Sequence, residues 1–103
     1  MRWKRRTPSY EPGPPDPWDI RVLDVLRERD GQLSIVELAD GTSLRVWNIA
    51  WGYDAGDSFA HVSSNMSPGA PEADGFDFFF TSDVAAIQSA PSASQLLLLR
   101  SAD

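Results

Sequence analysis

The sequence predicts a mainly β domain with a short N-terminal helix, an α+β fold in which five strands form a small, bent antiparallel sheet or barrel. Three observations indicate this class. Apolar residues recur at helical spacing over positions 17–28, and β-branched and aromatic runs separated by turn residues follow from position 32 to position 89. The chain has 103 residues and no cysteine, which leaves room for one modest core without disulfides.

The predicted helix, residues 17–28, begins behind a favourable N-terminal cap. Asp16 can accept from the first free N–H groups, Pro17 suits the first helical position, and Asp19 places a negative charge near the positive end of the helix dipole. A strand is the alternative for this segment, because some apolar residues also share strand parity and "RDGQ" at 29–32 could close a hairpin. The apolar side predicted for the helix consists of Trp18, Val22, Val25 and Leu26.

Five strands are expected after the helix. "QLSIVEL" and "SLRVWNIAW" are joined by "ADGT", in which the Asp40-Gly41 pair is a strong hairpin signal. "SFAHVSSN", "GFDFFFT" and "DVAAIQS" are the third, fourth and fifth runs. Only "TSD" separates the last two, so these strands are expected to meet at a sharp corner.

The composition divides the chain into three regions. Five of the eight prolines lie between Pro8 and Pro17, which predicts a basic, Pro-rich, disordered tail over residues 1–15. Residues 16–90 are then the folded domain. Residues 91–103 form a C-terminal segment containing "LLLL", expected to be a docked strand or a short helix.

The order of the elements resembles the Sm-like and SH3-like small β-barrels over residues 17–88. "VELADGTSLRV" at 36–46 is the nearest local likeness to the first Sm motif. The residues with which that family holds RNA are not matched, since Arg45, Val46 and Trp51 stand near the positions of its glycine and aspartate. Before the last strand, where Arg-Gly is expected, this chain has Thr81-Ser82-Asp83. The resemblance therefore implies the barrel layout without Sm-type RNA binding.

The distribution of charge limits the possible partners. Residues 16–103 hold five basic and fourteen acidic residues, a net charge of −9, so nucleic acid is not an expected ligand of the domain. Weak contact with nucleic acid is expected through four tail cations alone, Arg2, Lys4, Arg5 and Arg6. No apolar run is long enough to span a bilayer, and cysteine is absent, so we expect a cytoplasmic protein that does not enter membranes.

Aromatic residues are more numerous than one small core requires. Residues 44–53 carry apolar side chains on both faces of the predicted strand, and so do residues 76–80, where one face would hold Phe76, Phe78 and Phe80. The surplus is expected to be covered by the helix, by the C-terminal segment, or by another protein. The candidate binding residues are Trp47, Trp51, Tyr53, His61 and Phe79.

His61 and the nearby serines and aspartates are the candidates for a catalytic or metal-binding site. His61 could act as a base beside Ser58 or Ser63, and Asp54 or Asp57 could orient it, but no local nucleophile motif supports a triad. The spacing of Asp54, Asp57 and His61 matches no calcium or zinc motif. We therefore predict no catalytic residue, no metal and no cofactor.

The favoured function is a non-catalytic, acidic protein-binding module, such as an inhibitor of the immunity or anti-defence type. Its partner would be a basic protein, whose approach the negative charge would accelerate, or a second copy in a homodimer. The alternative is a small-molecule-binding protein with a pocket lined by aromatic residues, or an enzyme that uses His61.

Overall fold

The computed structural model describes residues 14–66, 73, 75–90 and 95–100. These residues contain one α-helix, α1 (Pro17–Glu28), and seven β-strands. The strands are β1 (Ser34–Leu38), β2 (Ser43–Val46), β3 (Ile49–Gly52), β4 (His61–Ser64), β5 (Asp77–Phe80), β6 (Val84–Ser89) and β7 (Leu96–Leu99). Most of the predicted tail, at 1–13, and the C-terminal residues 91–94 and 101–103 lie outside the described residues.

Helix α1 has the bounds that the apolar spacing predicts, so the helical interpretation of this segment is confirmed and the strand alternative is wrong. Asp16 is the N-cap, and its Oδ1 accepts a hydrogen bond of 2.8 Å from the backbone N–H of Trp18. Pro17 occupies the first turn, where no N–H is needed. The buried side of the helix includes Trp18, Val22, Leu23 and Leu26.

The strands form two antiparallel sheets. The larger, sheet A, has the order β2-β1-β6-β7, and the smaller, sheet B, has the order β3-β4-β5. The predicted mainly β class with one helix is confirmed. The predicted five-stranded sheet or closed barrel is wrong, because the described part of the chain has seven strands in two sheets with no ladder joining the sheets.

A break in one predicted strand explains part of the difference in strand number. The run "SLRVWNIAW" is interrupted at Trp47 and Asn48, so its first half belongs to sheet A and its second half to sheet B. The break also changes which parity faces inward, since Leu44 and Val46 are buried before it and Ile49 packs against the core after it. The break therefore lets apolar residues from both faces of this run contact the core. The remaining additional strand is β7, which pairs with β6.

Asn65 satisfies the backbone at this break. Its Oδ1 accepts a hydrogen bond of 2.6 Å from the N–H of Trp47, and its Nδ2 donates to the carbonyl of Arg45 at 3.0 Å. Asn65 has a φ of 58°, in the left-handed region that asparagine tolerates better than most residues. The side chain of Asn65 therefore supplies hydrogen bonds that the ladder lacks where the chain passes between the sheets.

The expected corner between the last two predicted strands is present. Thr81–Asp83 form a single 3₁₀ turn that connects β5 of sheet B to β6 of sheet A. The side chain of Thr81 is fully buried, and its backbone N–H donates to the carbonyl of Ala60 at 2.9 Å. The turn fixes the angle between the sheets.

The core lies among α1 and the inner faces of both sheets. Helix α1 supplies Trp18, whose Nε1 donates to the carbonyl of Val84 at 3.2 Å. No helix in the described ranges is long and apolar enough to cross a membrane. The largest fully buried apolar side chains are Ile87, Val22, Val36, Val62 and Val84.

Candidate functional site

The two faces of sheet B have different environments. The register places His61 opposite Phe80, Val62 opposite Phe79 and Ser63 opposite Phe78. Because side chains alternate along a strand, Val62 and Phe79 lie on the inner face, while His61, Phe78 and Phe80 lie together on the outer face. We call these last three residues the aromatic face.

The three rings of the aromatic face contact one another. Phe78 and Phe80 are arranged edge to face, with centroids 5.5 Å apart, and the imidazole of His61 lies 5.7 Å from the ring of Phe78 and 6.4 Å from that of Phe80. Phe78 is 54% exposed, and Phe76, just before the strand, is 60% exposed. Aromatic rings therefore form a partly exposed cluster on one side of sheet B, in which Phe78 is more exposed than His61 or Phe80.

A glycine and an acidic side chain adjoin His61. Gly52 lies opposite His61 in the β3–β4 ladder, where a Cβ atom would come within 3.1 Å of the imidazole Nε2. The absence of a side chain at Gly52 lets the imidazole lie over the backbone of β3. Asp54 follows, and its Oδ1 lies 3.8 Å from Nε2 of His61. Asp54 is 65% exposed, so it places a negative charge at the margin of the aromatic face.

The sequence-predicted site residues are not gathered in one place. His61 is on the aromatic face, whereas Phe79 is 3% exposed and belongs to the core. Trp47 lies half-buried at the break between β2 and β3. Trp51 and Tyr53 meet edge to face with centroids 6.0 Å apart. The structure therefore brings Trp51 and Tyr53 together and separates the other three.

Trp51 extends from the edge of sheet B toward the helix. The guanidinium of Arg27 lies 5.7 Å from the centroid of the Trp51 ring, a cation–π arrangement. Arg27, Asp30, Ile49 and Trp51 line a depression of about 250 Å³. The indole ring is 43% exposed, so the helix covers only part of it.

Tyr53 points into a buried polar cluster around Asp19. Asp19 is fully buried, and its Oδ1 accepts from the N–H of Ala60 at 2.8 Å and from the hydroxyl of Thr81 at 2.6 Å. Its Oδ2 accepts from the Tyr53 hydroxyl at 2.5 Å. Burial, together with this hydrogen bond and the charge of Asp19, raises the pKa of Tyr53 to about 12. The cluster joins α1 to the segment between β3 and β4 and to the 3₁₀ turn.

The sequence indicates only one part of the role of Asp19. Its position in the first helical turn predicts a favourable interaction with the helix dipole. Its three hydrogen-bond donors come from residues 34 to 62 positions further along the chain. These partners approach Asp19 only in the folded arrangement of the strands, so sequence patterns alone do not predict the cluster.

Within the described residues no hydrogen bond joins His61 to a serine hydroxyl. Ser63 lies two residues along β4 on the same face as His61. Among residues 14–66, 73, 75–90 and 95–100, no group of three or more His, Cys, Asp or Glu side chains could hold a metal ion. The tail cations Arg2, Lys4, Arg5 and Arg6 lie outside the described residues.

A comparison of the chain with protein-family models, with curated proteins and with solved structures finds no match in any of the three. The function is therefore inferred from the geometry of the site.

Proposed function

We propose that this protein is a non-catalytic protein-binding module that meets a basic partner through the aromatic face. The observation that carries this proposal is the exposed contact of Phe78 with Phe80 and His61 on the outer side of sheet B. Burying such rings is favourable, and soluble domains rarely leave adjacent aromatic rings exposed without a binding role.

Aromatic rings suit this role for energetic reasons. A phenylalanine contributes a large contact area and loses little side-chain entropy when it is covered, so aromatic residues dominate the centres of protein interfaces. On the aromatic face the rings already restrain one another, since Phe78 contacts both His61 and Phe80. Less ordering is therefore required when a partner binds.

The charge of the chain favours a basic partner. The net charge is −6, and the described acidic residues near the aromatic face include Asp54 beside His61 and Asp83 just after Phe80. A negative surface accelerates the approach of a positive one and disfavours the approach of a second negative one. A second copy of this acidic chain is therefore a weaker occupant than a basic protein. An inhibitor of the immunity or anti-defence type, acting on a basic enzyme such as a nuclease, is the kind of module that we propose.

The proposal is tested by capture with matched surface variants. The full chain, Phe78→Ser and Leu99→Ser are immobilised and exposed to an extract of the native host. Leu99 is the control because it is 59% exposed, similar to the 54% of Phe78, but lies on the edge strand of sheet A. We expect wild type and Leu99→Ser to retain the same basic protein, and Phe78→Ser to retain at least about tenfold less.

Two outcomes would overturn the proposal. Equal retention by all three proteins would show that the aromatic face is not the binding surface, and retention of acidic or neutral proteins alone would remove the charge argument. Light scattering provides the test for self-association, because a homodimer that Phe78→Ser dissociates would place a second copy on this face. Thermal unfolding of each variant checks that the chain is folded.

The depression beside Trp51 favours the second candidate, a small-molecule-binding protein. Its volume of about 250 Å³ lies just below the range of about 300–1,000 Å³ usual for ligand pockets, and it joins an indole ring to Arg27 and Asp30. A metabolite that raises the melting temperature of wild type but not of Trp51→Ser would support this function. An enzyme using His61 has only the 3.8 Å approach of Asp54 in its favour.

A further inference from the structure

A second depression adjoins the aromatic face at the free edge of β5. It has a volume of about 300 Å³ and lies between the β1–β2 turn and the 3₁₀ turn. The two turns are joined there by a hydrogen bond of 2.7 Å from the N–H of Ala39 to the carbonyl of Asp83. In the described part of the chain β5 pairs with β4 alone, and its other edge faces this depression. The lining residues are Leu38, Ala39, Asp40, Phe78, Phe79 and Asp83.

The lining combines apolar walls with two carboxylates. Leu38 and Phe78 provide hydrocarbon and ring surface, whereas the Phe79 side chain is buried, and Phe78 is shared with the aromatic face. Asp40 and Asp83 are both exposed and come from different turns. Among the described residues that line the depression there is no lysine, arginine or histidine. Its chemistry is therefore complementary to a side chain with an apolar stem and a positive end.

Each carboxylate is held by the backbone of its own turn. Oδ1 of Asp40 accepts from the N–H of Thr42 at 2.8 Å, and Oδ2 of Asp83 accepts from the N–H of Phe80 at 3.3 Å. Each interaction engages one oxygen of its carboxylate. The bonds that Asp40 receives from Thr42 also lower the pKa of Asp40. The negative charges are thus fixed in place before a ligand arrives.

We propose that this depression is a specificity pocket for one lysine or arginine side chain of the basic partner. The inference rests on the proposed function, because Phe78 belongs both to the aromatic face and to the lining of this depression. The alkyl stem would lie against Leu38 and the ring of Phe78, and the ammonium or guanidinium group would meet Asp40 and Asp83.

A titration monitored by NMR tests the pocket without the partner. The ¹⁵N-labelled full chain is titrated with n-butylammonium and n-butylguanidinium, and separately with butyramide as the uncharged control. We expect saturable amide shifts at 38–40, 78–79 and 83 with the two cations, and none that saturate with butyramide. The variant Asp83→Asn keeps an acceptor oxygen and removes the charge, so we expect it to weaken cation binding at least about fivefold. Asp24→Asn removes the same charge from an exposed position on α1 and should change binding less than about twofold.

The results separate this inference from the proposed function. Equal binding of cations and butyramide, or equal effects of Asp83→Asn and Asp24→Asn, would overturn the pocket. A partner that depends on Phe78 but not on Asp40→Asn or Asp83→Asn would overturn the pocket and leave the proposed function standing. Saturable cation binding that is lost in Asp83→Asn, without capture of any basic protein, would support the pocket and contradict the proposed function.

Discussion

Phe78 and Phe79 are neighbours in β5, yet one is 54% exposed and the other 3% exposed. Phe79 lies opposite Val62 on the inner face of sheet B and packs in the core. Phe78 lies opposite Ser63 on the outer face, where its ring contacts those of His61 and Phe80. The same residue type in the same strand therefore serves stability on one face and is available for binding on the other.

This difference shows how to separate structural residues from functional ones in a small β domain. Inner-face residues pack against many neighbours, so replacing them should mainly change the free energy of unfolding. Outer-face residues have few neighbours, so replacing them should mainly change the affinity for a partner.

The largest effect is expected at Phe79. Phe79→Ala leaves a cavity in the core and should lower the free energy of unfolding by about 3–5 kcal/mol, measured by urea denaturation. Phe78→Ala is the matched control and should lower it by less than about 0.5 kcal/mol, because the ring is mostly exposed. Similar losses at the two positions would mean that the inner and outer faces of β5 are not as described.

A slightly smaller effect is expected at Asp19. Asp19→Ala removes the acceptor of the Tyr53 and Thr81 hydroxyls and of the Ala60 N–H, and should cost about 3 kcal/mol of stability because two of these donors are buried. The control is Asp24→Ala on the exposed side of the same helix, expected to cost less than about 0.5 kcal/mol. Comparable effects of the two substitutions would contradict the role given to Asp19.

Tyr53 provides a prediction with a pH dependence. Tyr53→Phe removes one donor to Asp19 and should cost about 1 kcal/mol at neutral pH. The pKa of Tyr53 is raised from 10.0 to about 12 in the folded chain, so its protonated hydroxyl contributes stability that is fully present below pH 10. This contribution is lost as the pH rises through about 12. Urea denaturation of both proteins at several pH values should show the wild-type advantage shrinking over this interval, and an advantage that stays constant would refute the interaction.

The smallest effect is expected at His61. His61→Gln keeps a polar side chain over Gly52 and leaves Phe78 and Phe80 in place, so the affinity for a captured partner should change by less than about threefold, or about 0.65 kcal/mol. Isothermal calorimetry measures this change. A hundredfold loss in a folded variant would instead make His61, rather than Phe78, the main contact of the aromatic face or assign it a catalytic role.

The sequence predicts those features that depend on neighbouring residues. The cap at Asp16, the bounds of α1 and the corner at Thr81–Asp83 each follow from a short local pattern. The parity of the phenylalanines at 76, 78 and 80 was also visible, because alternation is local. These predictions required no knowledge of how the strands are arranged.

The remaining features depend on distant residues. The break between β2 and β3 relies on Asn65, which lies 18 residues after Trp47. The sequence likewise leaves open which parity of β5 faces inward, and this is why Phe79 was selected as a binding residue although it packs in the core. The depression at Asp40 and Asp83 forms only when two turns 43 residues apart meet.

Hydrogen exchange on the complex with the captured basic protein tests the central claim most directly. If the aromatic face is the binding surface, amides of β4 and β5 should exchange at least about tenfold more slowly in the complex than in the free chain. Amides of β7, on the far edge of sheet A, should exchange at the same rate in both. Slower exchange in β7 or α1, with no change in β4 and β5, would contradict the account and place the partner elsewhere on the domain.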